Sequence, residues 1–490
     1  MQKDVYFYKL HKAQYPQSPA NPDHIFPELS NLAFDIQIDE TNEVYGAVRE
    51  VLINLGLDTN HVGTTQWNPF REFVKPGQKV LIKPNQVYHA HPKGDREVLG
   101  MVTNAAVVRP LIDYVLLATS GKCSIIIADA PVQGADFRKV TELSGMTALV
   151  QYYSSIGVEI ELLDLRILIS ERNKNGILGE KYKNPTRNSE MYRTVDLKEK
   201  TELYEVIHSY KKFEITDYGY GSVAKHHNKE VNEYIIPIEV LEADFFINVP
   251  KLKTHRKAGM TCALKNIVGI NGDKTCLAHH TRGVKGTVGD EFNKKNYQTI
   301  VKQRLWTFLK TNKAGIFVAG GIANFFKKYV WKGQSIKEYN MLHKPEVFSE
   351  GSWYGNDTLW RCVKDLNKIL LYADREGNMR NEQQRGYICI VDALKAGEGE
   401  GPMEQTTKEF GVIFGGMNPV YVDLCATKLM KYDYMKLPLV KNSFINKWWD
   451  LVDKEAEQVS IDGNISMNKA AEYFIPSYGW QDYLTEKANK

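Results

Sequence analysis

The chain has little cysteine and no cysteine pattern. Six cysteines, Cys123, Cys262, Cys276, Cys362, Cys389 and Cys425, are scattered over 490 residues, and none forms a C-x-x-C pair. That spacing excludes a zinc ribbon and a ferredoxin-type cluster and suits reduced thiols in the cytoplasm. Long apolar runs are missing as well. The start, MQKDVYFYKLHKAQYP, has no apolar signal core, and the longest apolar-looking stretch, Ala314 to Phe326, is well short of a membrane span. A cytoplasmic location without a membrane partner is therefore expected. Charge of one sign is not in large excess: the formal net charge is +4, and no Lys/Arg strip is interleaved with aromatics. Nucleic acid is accordingly not an expected partner. G-x-G-x-x-G, P-loop, G-x-S-x-G and H-E-x-x-H patterns are all absent, which leaves triad hydrolysis and zinc peptidase chemistry without support. Neither an internal repeat nor a low-complexity tract is found.

What is present is ample core, 43% hydrophobic residues, arranged in short β-rich runs with helical patterns between them. The runs are Val80 to Ile82, Ser124 to Ala128, Val158 to Leu162, Phe245 to Val249, Tyr387 to Val391 and Gly411 to Phe414. This alternation predicts a Rossmann-like α/β fold, a mostly parallel sheet flanked by helices. Two long charged segments, about 166–239 and 290–380, read as excursions from the sheet. The expected organisation is an N-terminal extension (1–60), a main α/β domain (61–289) containing the first excursion, a mainly helical second excursion (290–380), a return to the sheet (381–436) and a helical C-terminal tail (437–490).

Each run ends in polar or turn-forming residues, and in open α/β sheets ligands bind beyond the carboxyl ends of the strands. The richest end follows Phe245 to Val249, where the chain reads PKLKTHRKAGMTCALKNIVGINGDKTCLAHH. Lys251, Lys253, His255, Arg256 and Lys257 form a basic crest there. Met260, Leu264, Ile267 and Val268 then fall at helical spacing, with Thr261 and Gly269 as cap candidates. Helix N-terminal amides and cationic side chains both favour an anion, so a small anionic molecule is the expected partner. The bland alternative is a solvated charged loop.

Among these cations an imidazole is held neutral, which makes His255 a candidate acid/base, and Lys265 either snorkels to solvent or points to the ligand. Lys83, Asn85, Asp129, Lys251, Lys253, Thr261, Asn266, Asp392 and Asn418 complete the expected ligand-binding set. His255, Lys265, Lys83, Asn85, Asp129 and Asp392 are expected to converge on one cleft. The pairs His279-His280 and His226-His227 are candidate ligands of a transition metal, against the plainer reading of solvated loop histidines. AGEGEGP at Ala396 to Pro402 and Gly415-Gly416 permit close backbone approach to a ligand.

These residues resemble the family catalogued as domain of unknown function 362, whose hallmark is similar to PKLKTHRKAGMTCALKNIVGINGDK followed by a His-His pair. The likeness spans most of Val80 to Tyr432, through LIKPNQV, ADAPVQGADF, GNDTLWR and VDALKAGEGEGP. Many relatives carry an added iron-sulfur domain; the cysteine spacing here gives none. A weaker resemblance is to the nickel-pincer lactate racemases, whose pattern His-x-x-Ala-Gly-x-Ser/Thr-x-x-x-Lys is matched by His255, Ala258, Gly259, Thr261 and Lys265. That likeness implies proton exchange by His255, a pincer cofactor tethered to Lys265 and nickel on His280. Cys262 and Ala263 replace the small glycines of that pattern, and Lys83-Pro84-Asn85 replaces its Arg-Pro-Thr-Pro element, which favours kinship of fold over a shared cofactor.

The leading expectation is an enzyme of open reaction type acting on a small anion, with His255 as acid/base and the lysines as anion site. The alternatives are an accessory protein that holds a metal or cofactor without turnover, and an interaction scaffold.

Overall fold

The six apolar runs all become strands, because their side chains alternate between two separate apolar layers. The computed structural model describes residues 3–172, 178–216, 221–309, 318 and 346–484. In chain order its strands are β1 (Val5–Lys9), β2 (Lys79–Pro84), β3 (Ser124–Asp129), β4 (Ile160–Asp164), β5 (Leu168–Arg172), β6 (Leu178–Lys183), β7 (Tyr192–Asp196) and β8 (Phe213–Glu214). They continue with β9 (Glu233–Pro237), β10 (Phe245–Val249), β11 (Lys251–His255), β12 (Gly259–Thr261), β13 (His280–Thr281), β14 (Gly386–Glu400), β15 (Glu404–Gly416) and β16 (Ile461–Gly463).

The central sheet runs β16-β1-β15-β14-β10-β2-β3-β4. From β14 to β4 every neighbour is parallel. Beyond β14 the sheet turns antiparallel through β15 and β1, and β16 adds to β1 in parallel. Val80, Ile82, Ile125, Ile127, Phe245 and Ile247 face one core with helices Glu43–Asn54 and Ala105–Thr119. Leu81, Ile126, Ala128 and Phe246 face the other, with helices Leu359–Tyr372 and Pro419–Leu429. Strands covered on both faces need a nearly continuous apolar run, as these have. The expected α/β class, a large mostly parallel sheet flanked by helices, is the one observed.

The first excursion folds into small ladders, β5 with β6 and β7 with β9, while β8 pairs with β13. The second opens with helix Tyr297–Leu309. The apolar stretch Ala314 to Phe326 lies, apart from Val318, outside the described residues. Among the described residues no helix is long and apolar enough to cross a membrane. The tail carries short helices such as Pro438–Ser443 and Gln481–Leu484, and it also supplies the edge strand β16. At the other terminus, β1 lies inside the sheet between β15 and β16.

Two irregularities shape the strand-end edge. Pro250 has no N–H to continue a ladder, and it separates β10 from β11, which runs on beside the second half of β14. Between Lys251 and Lys253 the pairing with β14 then slips, from Asp392 to Gly397. An extra residue at such a bulge re-aims the side chains that follow. The segment AGEGEGP is the end of β14 and its turn into β15.

Candidate functional site

Beyond the carboxyl ends of β2, β3 and β11 lies a cavity of about 200 Å³. Its floor is a chain of buried polar groups. Lys83 donates to Asp129 Oδ1 at 2.7 Å and to the Pro84 carbonyl at 3.0 Å, while the Gln86 amide holds Asp129 Oδ2 at 2.7 Å. Asn266 Oδ1 accepts from Asn85 at 2.9 Å and from Lys83 at 3.3 Å. Asn85 Oδ1 in turn accepts from Lys253 at 2.6 Å. Gly269 closes over this floor: a Cβ there would lie 2.0 Å from Asp129 Oδ1 and 2.6 Å from Lys83 Nζ.

The walls are cationic. Lys253, Arg256, Lys257, Lys265 and Lys274 line the cavity, and Asp129, already paired with Lys83, is the only carboxylate lining it among the described residues. Lys274 donates to the carbonyl of Ala130 at 2.7 Å and Lys257 to Thr216 Oγ1 at 2.8 Å. Lys265 has no hydrogen-bond acceptor among the described residues. Burial, then the charges of Lys257 and Lys83, bring its ammonium down to about 8. Burial likewise lowers Lys274 to about 7 and holds Lys253 well below the ordinary lysine value. An unmatched ammonium is disfavoured in such a place.

Two histidines line the same cavity in opposite tautomers. The His255 Nδ1 accepts from the amides of Lys257 at 3.0 Å and Ala258 at 3.2 Å. A nitrogen that accepts carries no proton, so neutral His255 bears its hydrogen on Nε2. The His279 Nδ1 lies 2.9 Å from the carbonyl of Leu277, which can only accept. Nδ1 is therefore the protonated nitrogen and Nε2 keeps its lone pair. Burial, followed by neighbouring cations, holds both imidazoles well below their ordinary value, Lys265 and Arg256 acting on His255 and Lys257 and Lys265 on His279. Both rings are neutral at pH 7.

Of the residues expected from the sequence, Asn85, Asp129, Lys253, His255, Thr261, Lys265, Asn266 and His279 line this cavity, and Lys83 lies beneath it. Others do not come to it. Lys251 turns to the far side of the bulge, where it donates to Asp392 at 2.6 Å and to Tyr15 at 2.6 Å. Asp392 is thus a buried ion-pair partner rather than a member of the cleft. Asn418 caps helix Pro419–Leu429. His226 pairs with Glu233 at 2.8 Å, His227 is bound to the Cys276 carbonyl at 2.6 Å, and buried His280 lies in β13, opposite Glu214 of β8 in the strand register. Among the described residues no three His, Cys, Asp or Glu side chains group to hold a metal, so the four histidines do not form the centre expected of them.

The expected helix is also different. Thr261 belongs to β12 and pairs with Lys253, and the α-helix covers only Ala263–Asn266 before tightening to a 3-10 turn over Ile267–Ile270. Its first turn is occupied by Asp423, which accepts from the Leu264 amide at 3.4 Å. Side chains rather than helix amides therefore make the cationic site.

Sequence reasoning passed over Lys274 and the Ala130–Gly134 wall. The wall is held by Arg166, whose Nη1 donates to the carbonyls of Val132, Gln133 and Ala135 at 2.9, 3.0 and 2.9 Å. Asp164 anchors the same guanidinium at 2.6 Å. An arginine two residues after a strand-end aspartate was the available signal.

The chain matches the family described as domain of unknown function (DUF362) over residues 80–166 and 166–428. It belongs to that family. No curated protein matches it. The region shared with the DUF362 family contains every cavity-lining residue from Asn85 to Met403.

Proposed function

We propose that the protein is an enzyme acting on a small molecule with more than one negative charge, a carboxylate or phosphate compound, bound in this cavity. The observation that carries the reading is Lys265, a buried lysine with no hydrogen-bond acceptor among the described residues, in a cavity rich in lysine whose one carboxylate among the described residues, Asp129, is already paired with Lys83. A purely structural cavity gains nothing from unmatched ammonium groups, and each costs stability. A multiply charged anion offsets them and accepts their hydrogen bonds.

In this reading Lys265 makes the central ion contact, with Lys253, Lys257 and Lys274 around it. His255 does not act as the acid/base assigned to it from the sequence. With Nδ1 engaged by two amides it presents a fixed Nε2–H, a hydrogen-bond donor suited to a carboxylate or to charge developing on an oxygen. Asn85 and Asn266 align the lysines from below.

Thermal unfolding in the presence of sulfate, phosphate and malonate tests the proposal. Millimolar anion is expected to raise the midpoint in proportion to ln(1 + [L]/Kd), and Lys265→Met to abolish the rise. No rise with any of the three anions would overturn it.

A further inference from the structure

We propose that His279 is the proton acceptor of this site and that the substrate is an anion with an ionisable O–H, or C–H beside a carbonyl, next to its charged group. The inference rests on the anion-cavity reading above and goes beyond it by assigning the base and the class of reaction. The sequence places His279 only among metal candidates.

The geometry separates the two cavity histidines. A base must offer a lone pair to the substrate, and on an imidazole that nitrogen must be free of hydrogen. The lone pair of His255 is on Nδ1, occupied by the amides of Lys257 and Ala258. The His279 lone pair is on Nε2, because Nδ1–H is committed to the Leu277 carbonyl. Nε2 has no partner among the described residues. His279 can therefore take a proton without breaking a bond already made, whereas protonating His255 requires breaking two. Its neighbour His280 is outside the cavity.

The step balances without a further reactant. The substrate X–H bond breaks, the proton forms a new N–H on Nε2 of His279, and the electron pair stays on X. The charge gained by X is met by the Nε2–H of His255 and the ammonium of Lys265. The imidazolium keeps its Nδ1–H on Leu277 and returns the proton to product or to water.

The groups facing His279 make this base conditional. Lys257, Lys265 and Lys274 oppose its protonation, and among the described residues that line the cavity the one carboxylate, Asp129, is taken by Lys83. A bound dianion reverses the sign of the local field, and the imidazole regains its affinity for a proton. The base is thus competent only when the anionic substrate is in place.

The test is calorimetric titration with sulfate, which does not itself titrate near neutrality, in two buffers of different ionisation enthalpy at a pH of about 6.5. At that pH Lys265 is already charged and Lys274, held at about 7, largely so, and any uptake by Lys274 or Lys253 is common to wild type and to His279→Gln, so that the difference between them reads His279. Wild-type protein is expected to take up roughly half a proton per sulfate, the amount a histidine returned to its ordinary range binds. His279→Gln should still bind sulfate but lose most of the uptake, and His255→Gln should bind more weakly with uptake per sulfate retained. Should the variants not fold, diethyl pyrocarbonate on wild-type protein reads the same point. It should modify His279, spare His255, and be blocked by sulfate. Sulfate binding with no uptake, uptake unchanged in His279→Gln, or modification of His255 in preference to His279 overturns this assignment and leaves the anion cavity standing. Failure of sulfate to bind wild-type protein overturns both.

Discussion

Lys83 and Asp129 form an ion pair of 2.7 Å with both side chains almost wholly removed from solvent, and that pair uses up the one carboxylate that, among the described residues, lines a cavity with five basic residues. It sets the sign of the site. With Asp129 occupied from below, Lys265 above it has no hydrogen-bond acceptor among the described residues.

The pair also fixes the stability of the floor. Asp129→Ala leaves Lys83 buried and unmatched and is expected to cost about 3–5 kcal/mol. Gly269→Ala drives a methyl into the same two side chains and should cost about 1–3 kcal/mol. Chemical denaturation of both variants checks this, and a loss below about 0.5 kcal/mol, the scatter of surface substitutions, would mean that the pair is not closed as described.

The depressed lysines predict a pH dependence with a definite sign. Lys265 is held at about 8 and Lys274 at about 7, against an ordinary value of 10.5. From roughly pH 7 to 10 the unfolded chain therefore binds more protons than the folded one, and stability rises with pH across that window. Below it the full penalty of the charged, buried amines remains. Lys265→Met removes its share and should stabilise the protein at pH 7 by about 2–3 kcal/mol, while flattening the dependence. Urea denaturation at pH 7 and 9 measures both. Residues that destabilise a fold and are nonetheless present are what a binding site looks like.

The strands of the sheet and the strand-end edge on which the cavity lies were legible in the sequence, because apolar runs and the polar residues that end them are local signals. Lys253, His255 and Lys265 were readable for the same reason. What local pattern does not contain is the slip between Lys251 and Lys253, which sends one lysine to Asp392 and its neighbour but one to the cavity. Asp392 has the same strand-end signature as Asp129, and only packing separates an ion-pair partner from a floor residue. The hydrogen-bond partners of the histidines were equally invisible. His255 and His279 look alike in sequence, and their tautomers depend on which backbone group, an amide or a carbonyl, folds against Nδ1.

The separation of Lys251 from the cavity is itself testable. Lys251, Asp392 and Tyr15 form a buried cluster at 2.6–2.7 Å. Asp392→Ala should cost about 3–5 kcal/mol, whereas the double change Lys251→Met with Asp392→Leu should be close to neutral. Sulfate affinity should stay within about twofold of wild type in that double variant, since neither residue touches the ligand. A tenfold loss would place Lys251 back in the site.

Arg166 gives the remaining prediction, one that separates shape from charge. Its Nη1 gathers three carbonyls of the Val132–Ala135 turn while Asp164 holds its other edge, so a single planar guanidinium fixes the wall opposite Lys265. Lysine keeps the charge but is a point donor that cannot reproduce the fork. Arg166→Lys is therefore expected to weaken sulfate binding by about threefold to tenfold, because a loosened wall must be ordered again on binding. The stability cost should be about 1–3 kcal/mol from carbonyls left without donors. The variant is expected to leave proton uptake per bound sulfate unchanged, because His279 is not touched. Calorimetry on Arg166→Lys reads affinity and uptake together: a loss of both would mean that Arg166 acts on the base, and a loss of neither that the wall does not contribute to binding.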